Sequence, residues 1–241
     1  MVRLRAILFD IDDTLCATTE FAQRARHNAV EAMLAAGLDL PASEVYDELE
    51  EVIREFSSNY EHHFDKLLLR FPPEKTAHLN RALVVAAGVT AYHDTKFREW
   101  KPFPGVRELF AELKQAGLRL GVITHGLAVK QAEKLIRLEL VPYLDPSAIF
   151  ISDAIGISKP NPKLYQLALR RMELEAPEVM YVGDHPAHDI APPKSLGMIA
   201  VWARAMAKHG LDDCEPDHVI ESFEDLRRLL IARYGIRLAP R

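Results

Sequence analysis

The sequence predicts a doubly wound α/β protein with a helical insertion, and three observations carry that expectation. Short, near-continuous apolar runs alternate with amphipathic stretches from Gly105 onward, the pattern of parallel strands covered on both faces by helices. The segment 17–97 reads as helix throughout. Polar residues able to do chemistry fall directly after the apolar runs, where open parallel sheets bind ligands.

In chain order, residues 4–9 form the first strand and run straight into Asp10-Ile11-Asp12-Asp13-Thr14. Residues 19–36 carry helical spacing and stop at Gly37, and a second helix covers Ser43–Phe56 with Ser43 as its cap and Glu44 behind it. Two further helices are expected at 61–71 and 73–95, separated at Pro72-Pro73. The turn-rich Lys101-Pro102-Phe103-Pro104-Gly105 then returns the chain to the sheet. Strands follow at Leu120–Ile123, Ala148–Ile151, Val179–Val182, Ile199–Trp202 and His218–Ile220, with helices between most of them. The expected division is a Rossmann-like core of residues 1–16 and 98–241 and a small all-helical domain of 17–97.

Composition narrows the function classes. The chain has 241 residues, 49% hydrophobic and 27% charged, with a net charge of −5. That balance gives no basic stripe for nucleic acid or an anionic membrane, so a small-molecule partner is expected. No apolar run reaches membrane-spanning length, and the one after Met1 is cut short by Asp10, too early for a signal-peptide core. Cys16 and Cys214 are far apart and lack metal-ligand spacing, which is expected of free thiols in a reducing cytosol. Sparse Asn and Gln, with Arg ahead of Lys, weakly suggest a heat-adapted source.

Three carboxylates crowded at the end of a buried strand repel one another unless a cation or protons neutralise them, which points to a divalent metal. Asp10 is placed to attack an electrophilic centre. Asp12, two residues on and on the same side, is placed to protonate a leaving oxygen and then activate water. Asp13 is given a structural or secondary role. Thr124, opening Thr124-His125-Gly126 before a helix near Leu127, offers a hydroxyl and neighbouring amides to an anion; taken alone it reads more simply as a helix cap. Lys159, in a loop stiffened by Pro160 and Pro162, is a long cation aimed at an anion. Asp184 and Asp189 add oxygen ligands for a hard cation such as Mg²⁺. His185 and His188 between them are read as structural or substrate-adjacent.

These four segments, in order after four strands, resemble the signatures of the haloacid dehalogenase (HAD) superfamily, in the branch with a helical cap inserted after the first motif. The resemblance covers nearly the whole chain. It implies that Asp10 becomes an aspartyl phosphate, that Asp12 is the general acid and base, and that Thr124 and Lys159 hold the phosphoryl group, with His125 and Gly126 beside them in the substrate site. It implies Mg²⁺ held by Asp10, Asp184, the backbone carbonyl of Asp12 and, directly or through water, Asp189. Two positions depart from the family pattern: His125 stands where many relatives carry asparagine, and Ala17 where many carry aspartate.

The same fold supports several reactions, so the residues must choose. Halide leaves without a proton and the family's dehalogenases need no metal, so Asp12, Asp184 and Asp189 together favour a Mg²⁺-dependent cytoplasmic phosphatase acting on a small phosphorylated metabolite. Phosphomutase or 2-haloacid dehalogenase chemistry is the alternative, and a non-catalytic binding protein ranks last. Phosphonate cleavage would need an activated cap lysine, and nothing near Lys66 marks it as one. Tyr60, His62, His63, Lys66 and Arg70 form a polar cluster in the cap that reads as a solvated helix face.

Overall fold

The computed structural model describes residues 3–205, 207–211 and 214–238. The chain forms two compact units, Met1–Ala17 with Lys101–Arg241, and Thr18–Trp100. The divisions fall after Ala17 and Trp100, where the sequence reading set them after 16 and 97.

After β1 (Ala6–Phe9) the chain enters the helical unit, made of α1 (Thr18–Ala35), α2 (Ala42–Phe56), α3 (His63–Arg70), α4 (Pro73–Thr76) and α5 (Arg81–Glu99). Its core is built from Met33, Leu49, Leu67, Leu68 and Val84, with Phe64 beside them. Gly88 lets α5 approach α1, since a Cβ there would lie 2.9 Å from the Met33 side chain. Asn28 donates to Thr95 Oγ1 at 2.8 Å across the same two helices.

Two expectations need correction here. Ser43 is not the cap of α2: the helix begins at Ala42 after an extended Pro41, and no side chain caps it. The helix expected over 73–95 is two helices, because Asn80 supplies its own start signal, its side chain accepting from the Leu83 amide at 3.3 Å. In the polar cluster, Arg70 is committed to α2 through Glu48 at 2.7 Å and Glu55 at 2.5 Å.

The other unit continues with α6 (Val106–Gln115), β2 (Arg119–Thr124), α7 (Ala128–Arg137), β3 (Ile149–Ile151), α8 (Ser152–Ile155), α9 (Pro162–Met172), β4 (Val179–Gly183), α10 (Ala191–Ser195), β5 (Ile199–Ala203), β6 (His218–Ile220) and α11 (Phe223–Tyr234). All strand pairs are parallel, in the order β3-β2-β1-β4-β5-β6. This is the doubly wound, Rossmann-like sheet that the alternating pattern predicts.

Alternation along β1 shows why helices cover both faces. Leu8 joins one core cluster with Tyr165 of α9 and Tyr181 of β4. Phe9 faces the other way, its ring 4.7 Å from Phe110 of α6 and 6.4 Å from Phe223 of α11. The strand order reverses between β1 and β4, so their carboxyl ends flank the crevice where such sheets hold ligands. Cys16 and Cys214 are both free thiols. Among the described residues no helix is long and apolar enough to cross a membrane.

Gly121 of β2 has no room for a side chain: a Cβ would lie 2.6 Å from the Ala148 Cβ and 2.7 Å from Leu8 Cδ2. Gly121→Ala is therefore expected to cost about 1–3 kcal/mol through overpacking. Chemical denaturation would register this as a lowered midpoint, and an unchanged midpoint would show that β2 and its neighbours can part at no cost.

Candidate active site

Asp10 is the first residue beyond β1 and is tied to its neighbour strand by its amide, which donates to the Val182 carbonyl at 2.9 Å. The loop that follows is held by local bonds, Asp13 N–H to the Cys16 carbonyl and Leu15 N–H to the Ile11 carbonyl, both at 2.9 Å. Asp13 sits in the left-handed region at φ 55°, a conformation aspartate tolerates better than most residues. Its carboxylate meets Lys208 at 3.2 Å.

Lys159 is the centre of the site. Its side chain is 3% exposed, and its ammonium lies 2.6 Å from Asp10 Oδ1 and 2.7 Å from Asp189 Oδ1. Burial alone works against the charge, but the carboxylates of Asp10 and Asp189 outweigh it and raise the Lys159 pKa. Asp189 is held further by the His185 amide, which donates to Oδ2 at 3.0 Å, and its Oδ1 lies 3.2 Å from the Tyr181 hydroxyl, whose one proton is shared with the Ile123 carbonyl at 2.8 Å. It reaches this place on a π-helical turn, Pro186–Ile190, directly after β4. Gly183 makes the approach possible, since a Cβ on it would run into the Asp189 side chain.

Asp184 follows Gly183 and accepts from the Thr14 hydroxyl at 3.2 Å, while its carbonyl accepts from Trp202 Nε1 at 2.7 Å. Burial, then the charges of Asp189 and Asp13, push its pKa up to about 7. Asp10 is pushed up to about 8, again by burial first, with Asp189 and Asp12 adding to the rise and Lys159 opposing it. Oxygens of Asp10, Asp184 and Asp189 all lie within 4.8 Å of one another. One ammonium among three such carboxylates leaves a shortage of positive charge, and an all-oxygen donor set suits a hard divalent cation. The residues therefore fit Mg²⁺. Asp189 is the member whose two oxygens already accept bonds from the protein.

A cavity of about 240 Å³ joins Asp10, Asp12, Asp184 and Asp189 with Lys159 and His125, so six sequence-selected residues line one space. Thr124 and Gly126 are not in that lining. Thr124 ends β2, fully buried, and its Oγ1 has no hydrogen-bond partner. It does not cap α7, whose first flanking residue is Leu127. A buried hydroxyl without a partner costs about 1–3 kcal/mol.

Gly126, expected in the substrate site, follows His125. Its amide donates to Ser152 Oγ at 3.0 Å, and the Ala128 amide to Asp153 Oδ2 at 2.9 Å, so both are spent inside the protein. The glycine is needed for space instead: at φ 131° a Cβ would lie 2.6 Å from Gln131 Nε2. His125 Nδ1 pairs with Ser158 Oγ at 2.6 Å. His185 and His188 stack with ring centroids 4.0 Å apart, and His209 lies 4.4 Å from His185, along one wall of the cavity. Burial, followed by the neighbouring His209, lowers the His185 pKa.

Several residues at the site escape the motifs. Tyr181, Lys208, His209, Gln131 and Lys134 all touch the groups described above. Only Gln131 and Lys134 left a signal in the sequence, as polar residues on the helix face that also carries Leu135.

A parallel sheet with a carboxylate-and-lysine cluster at its topological switch point defines an enzyme that works on a ligand held beyond the strand ends. The chain belongs to the haloacid dehalogenase-like hydrolase family, which residues 4–197 match. It is 42% identical over 229 residues to the glyceraldehyde 3-phosphate phosphatase of Methanopyrus kandleri, covering 92% of this chain and 95% of that one. It is 39% identical over 239 residues to the protein of the same name from Pyrococcus furiosus, covering 98% and 96%. Among solved structures, a HAD phosphatase from Thermococcus onnurineus shares the fold, with a TM-score of 0.67, 22% identity, and coverage of 98% of this chain and all of that one. The protein is a phosphatase of the HAD family.

Lys159→Met would leave two buried carboxylates facing each other, at an expected cost of about 3–5 kcal/mol. Tyr181→Phe removes a hydroxyl whose proton is shared between the Ile123 carbonyl and Asp189 and is expected to cost about 1 kcal/mol. Urea denaturation of the two variants should show this order, and equal midpoints would show that Lys159 is not the group that holds the carboxylates together.

Proposed function

We propose that the protein hydrolyses glyceraldehyde 3-phosphate with Mg²⁺ bound, through an aspartyl phosphate on Asp10. The observation that carries the mechanism is the setting of Asp10: a carboxylate at the end of a rigid strand, 2.6 Å from a buried lysine. The substrate rests on the printed names of the two relatives, each matched along more than nine-tenths of its length. A cavity of about 240 Å³ agrees with a small substrate.

In this reading the phosphoryl group sits between Asp10, the Lys159 ammonium and the Thr124 hydroxyl. Asp10 attacks phosphorus with the oxygen not bound to Lys159. As the bond from phosphorus to the ester oxygen breaks, Asp12 gives its proton to that oxygen and the triose leaves as an alcohol. Asp12, now a carboxylate, takes a proton from water as the water oxygen attacks phosphorus. The bond from phosphorus to Asp10 breaks and inorganic phosphate leaves. Lys159 is held by Asp189, so it stays aimed at the charge that develops on the transferring group. Asp10, Asp184, the Asp12 carbonyl and, directly or through water, Asp189 would hold Mg²⁺, which neutralises charge on the phosphoryl oxygens. A halide needs no proton on leaving, so a placed Asp12 favours an oxygen leaving group over dehalogenation.

Phosphate release from glyceraldehyde 3-phosphate tests the proposal. Turnover is expected with MgCl₂, to be abolished by EDTA, and to fall at least about a thousandfold in Asp10→Asn. Undiminished turnover in that variant would remove Asp10 as the nucleophile, and turnover of other phosphomonoesters alone would move the substrate elsewhere.

A further inference from the structure

Helix α7 brings to Asp12 two side chains that none of the four motifs contains. Gln131 and Lys134 are three residues apart and so share one helix face. Gln131 Nε2 donates to Asp12 Oδ2 at 3.0 Å and to the His125 carbonyl at 2.7 Å. Lys134 Nζ forms an ion pair with Asp12 Oδ1. Each carboxylate oxygen therefore receives a donor from a different residue, and the plane of the carboxylate is fixed from two sides.

The buried glutamine is a costly way to fill this space. It is 4% exposed, and its Oε1 is buried with no hydrogen-bond partner among the described residues. Turning the amide over would not help, because Oε1 would then face two acceptors, the His125 carbonyl and the Asp12 carboxylate. A residue needed only for packing would be apolar here. Gly126, whose φ of 131° itself favours glycine, leaves open the space beside the amide, where a Cβ would stand 2.6 Å from Gln131 Nε2. The unsatisfied oxygen is explained if the amide's two N–H donors are what this place requires.

Asp12 also has reason to be elsewhere. It shares its cavity with Asp10, Asp13, Asp184 and Asp189, and its side chain is 32% exposed, so repulsion and hydration would both draw it outward. Lys134, whose own side chain is only 11% exposed, offsets that pull.

We propose that Gln131 and Lys134 are positioning residues, which together hold the Asp12 carboxylate where it exchanges its proton with the leaving oxygen and then with water. The inference rests on the role of Asp12 in the proposed function.

A double-mutant cycle tests it. Lys134→Met, Lys134→Arg and Gln131→Leu would be made in the natural chain and in Asp12→Ala, and kcat and KM measured for glyceraldehyde 3-phosphate and p-nitrophenyl phosphate with MgCl₂. Lys134→Met and Gln131→Leu are expected to lower kcat by about tenfold to a hundredfold with KM within about twofold, and Lys134→Arg to regain part of the loss. In the Asp12→Ala background neither should cost anything further, because the group they position is gone. Should Lys134→Met fail to fold, as circular dichroism would show, Gln131→Leu carries the same cycle. Losses that multiply with that of Asp12→Ala, losses confined to KM, or undiminished kcat would overturn the inference while leaving the phosphatase mechanism standing. Full activity of Asp12→Ala itself would overturn the reading of Asp12, and the inference with it.

Discussion

The contact on which the site depends is the buried ammonium of Lys159 between Asp10 and Asp189. Asp10 comes from the end of β1, Asp189 from the turn after β4, and Lys159 from the loop between α8 and α9. Three segments distant in sequence are thus tied at the point where the strand order reverses. Burying such groups is expensive, and the cost is offset only because every charge has a close partner and Asp189 has further donors from Tyr181 and the His185 amide. Loss of the ammonium would leave two desolvated carboxylates side by side, so the lysine is structural as much as chemical.

Positive charge around this centre is distributed unevenly. Asp12 has Lys134, Asp13 has Lys208, and Lys159 is shared between Asp10 and Asp189. Asp184 has a hydroxyl, from Thr14, and no ion pair of its own among the described residues. Burial and neighbouring carboxylates push up the pKa values of Asp10, which shares its lysine with Asp189, and of Asp184. That imbalance accounts for an oxygen-rich place fit for a hard cation beside the strand end that bears Asp10. Thr124, at the end of the neighbouring strand β2, keeps a buried hydroxyl with no hydrogen-bond partner among the described residues.

Local chemistry made most of the fold legible. The strand positions could be read because parallel strands covered on both faces are apolar without interruption, as β1 and β4 are. Errors arose where a side chain competes with helical periodicity. Asn80 starts a new helix inside a stretch that reads as one, and Ser43, although a favoured cap residue, lies inside the helix that Pro41 precedes. The candidate site was legible as four segments because three of them directly follow a strand and the fourth, with Lys159, comes after β3 and the short α8, but Gly126 shows the limit of that reasoning. Its motif position suggested an amide for an anion, whereas its neighbours make it a gap for Gln131.

The sequence by itself determined where the strands lie, that the sheet is parallel and doubly covered, and which carboxylates, threonine and lysine gather beyond it. These follow from the period of apolar residues and from local turn chemistry, which act over a few residues. Only the tertiary structure decided the pairings: Lys159 with both Asp10 and Asp189, Tyr181 with Asp189, Gln131 and Lys134 with Asp12. Those contacts join positions from 8 to 149 residues apart. They depend on which strand lies beside which and on the rotation of each helix against the sheet, quantities set by packing of the whole core and carried by no short stretch of sequence.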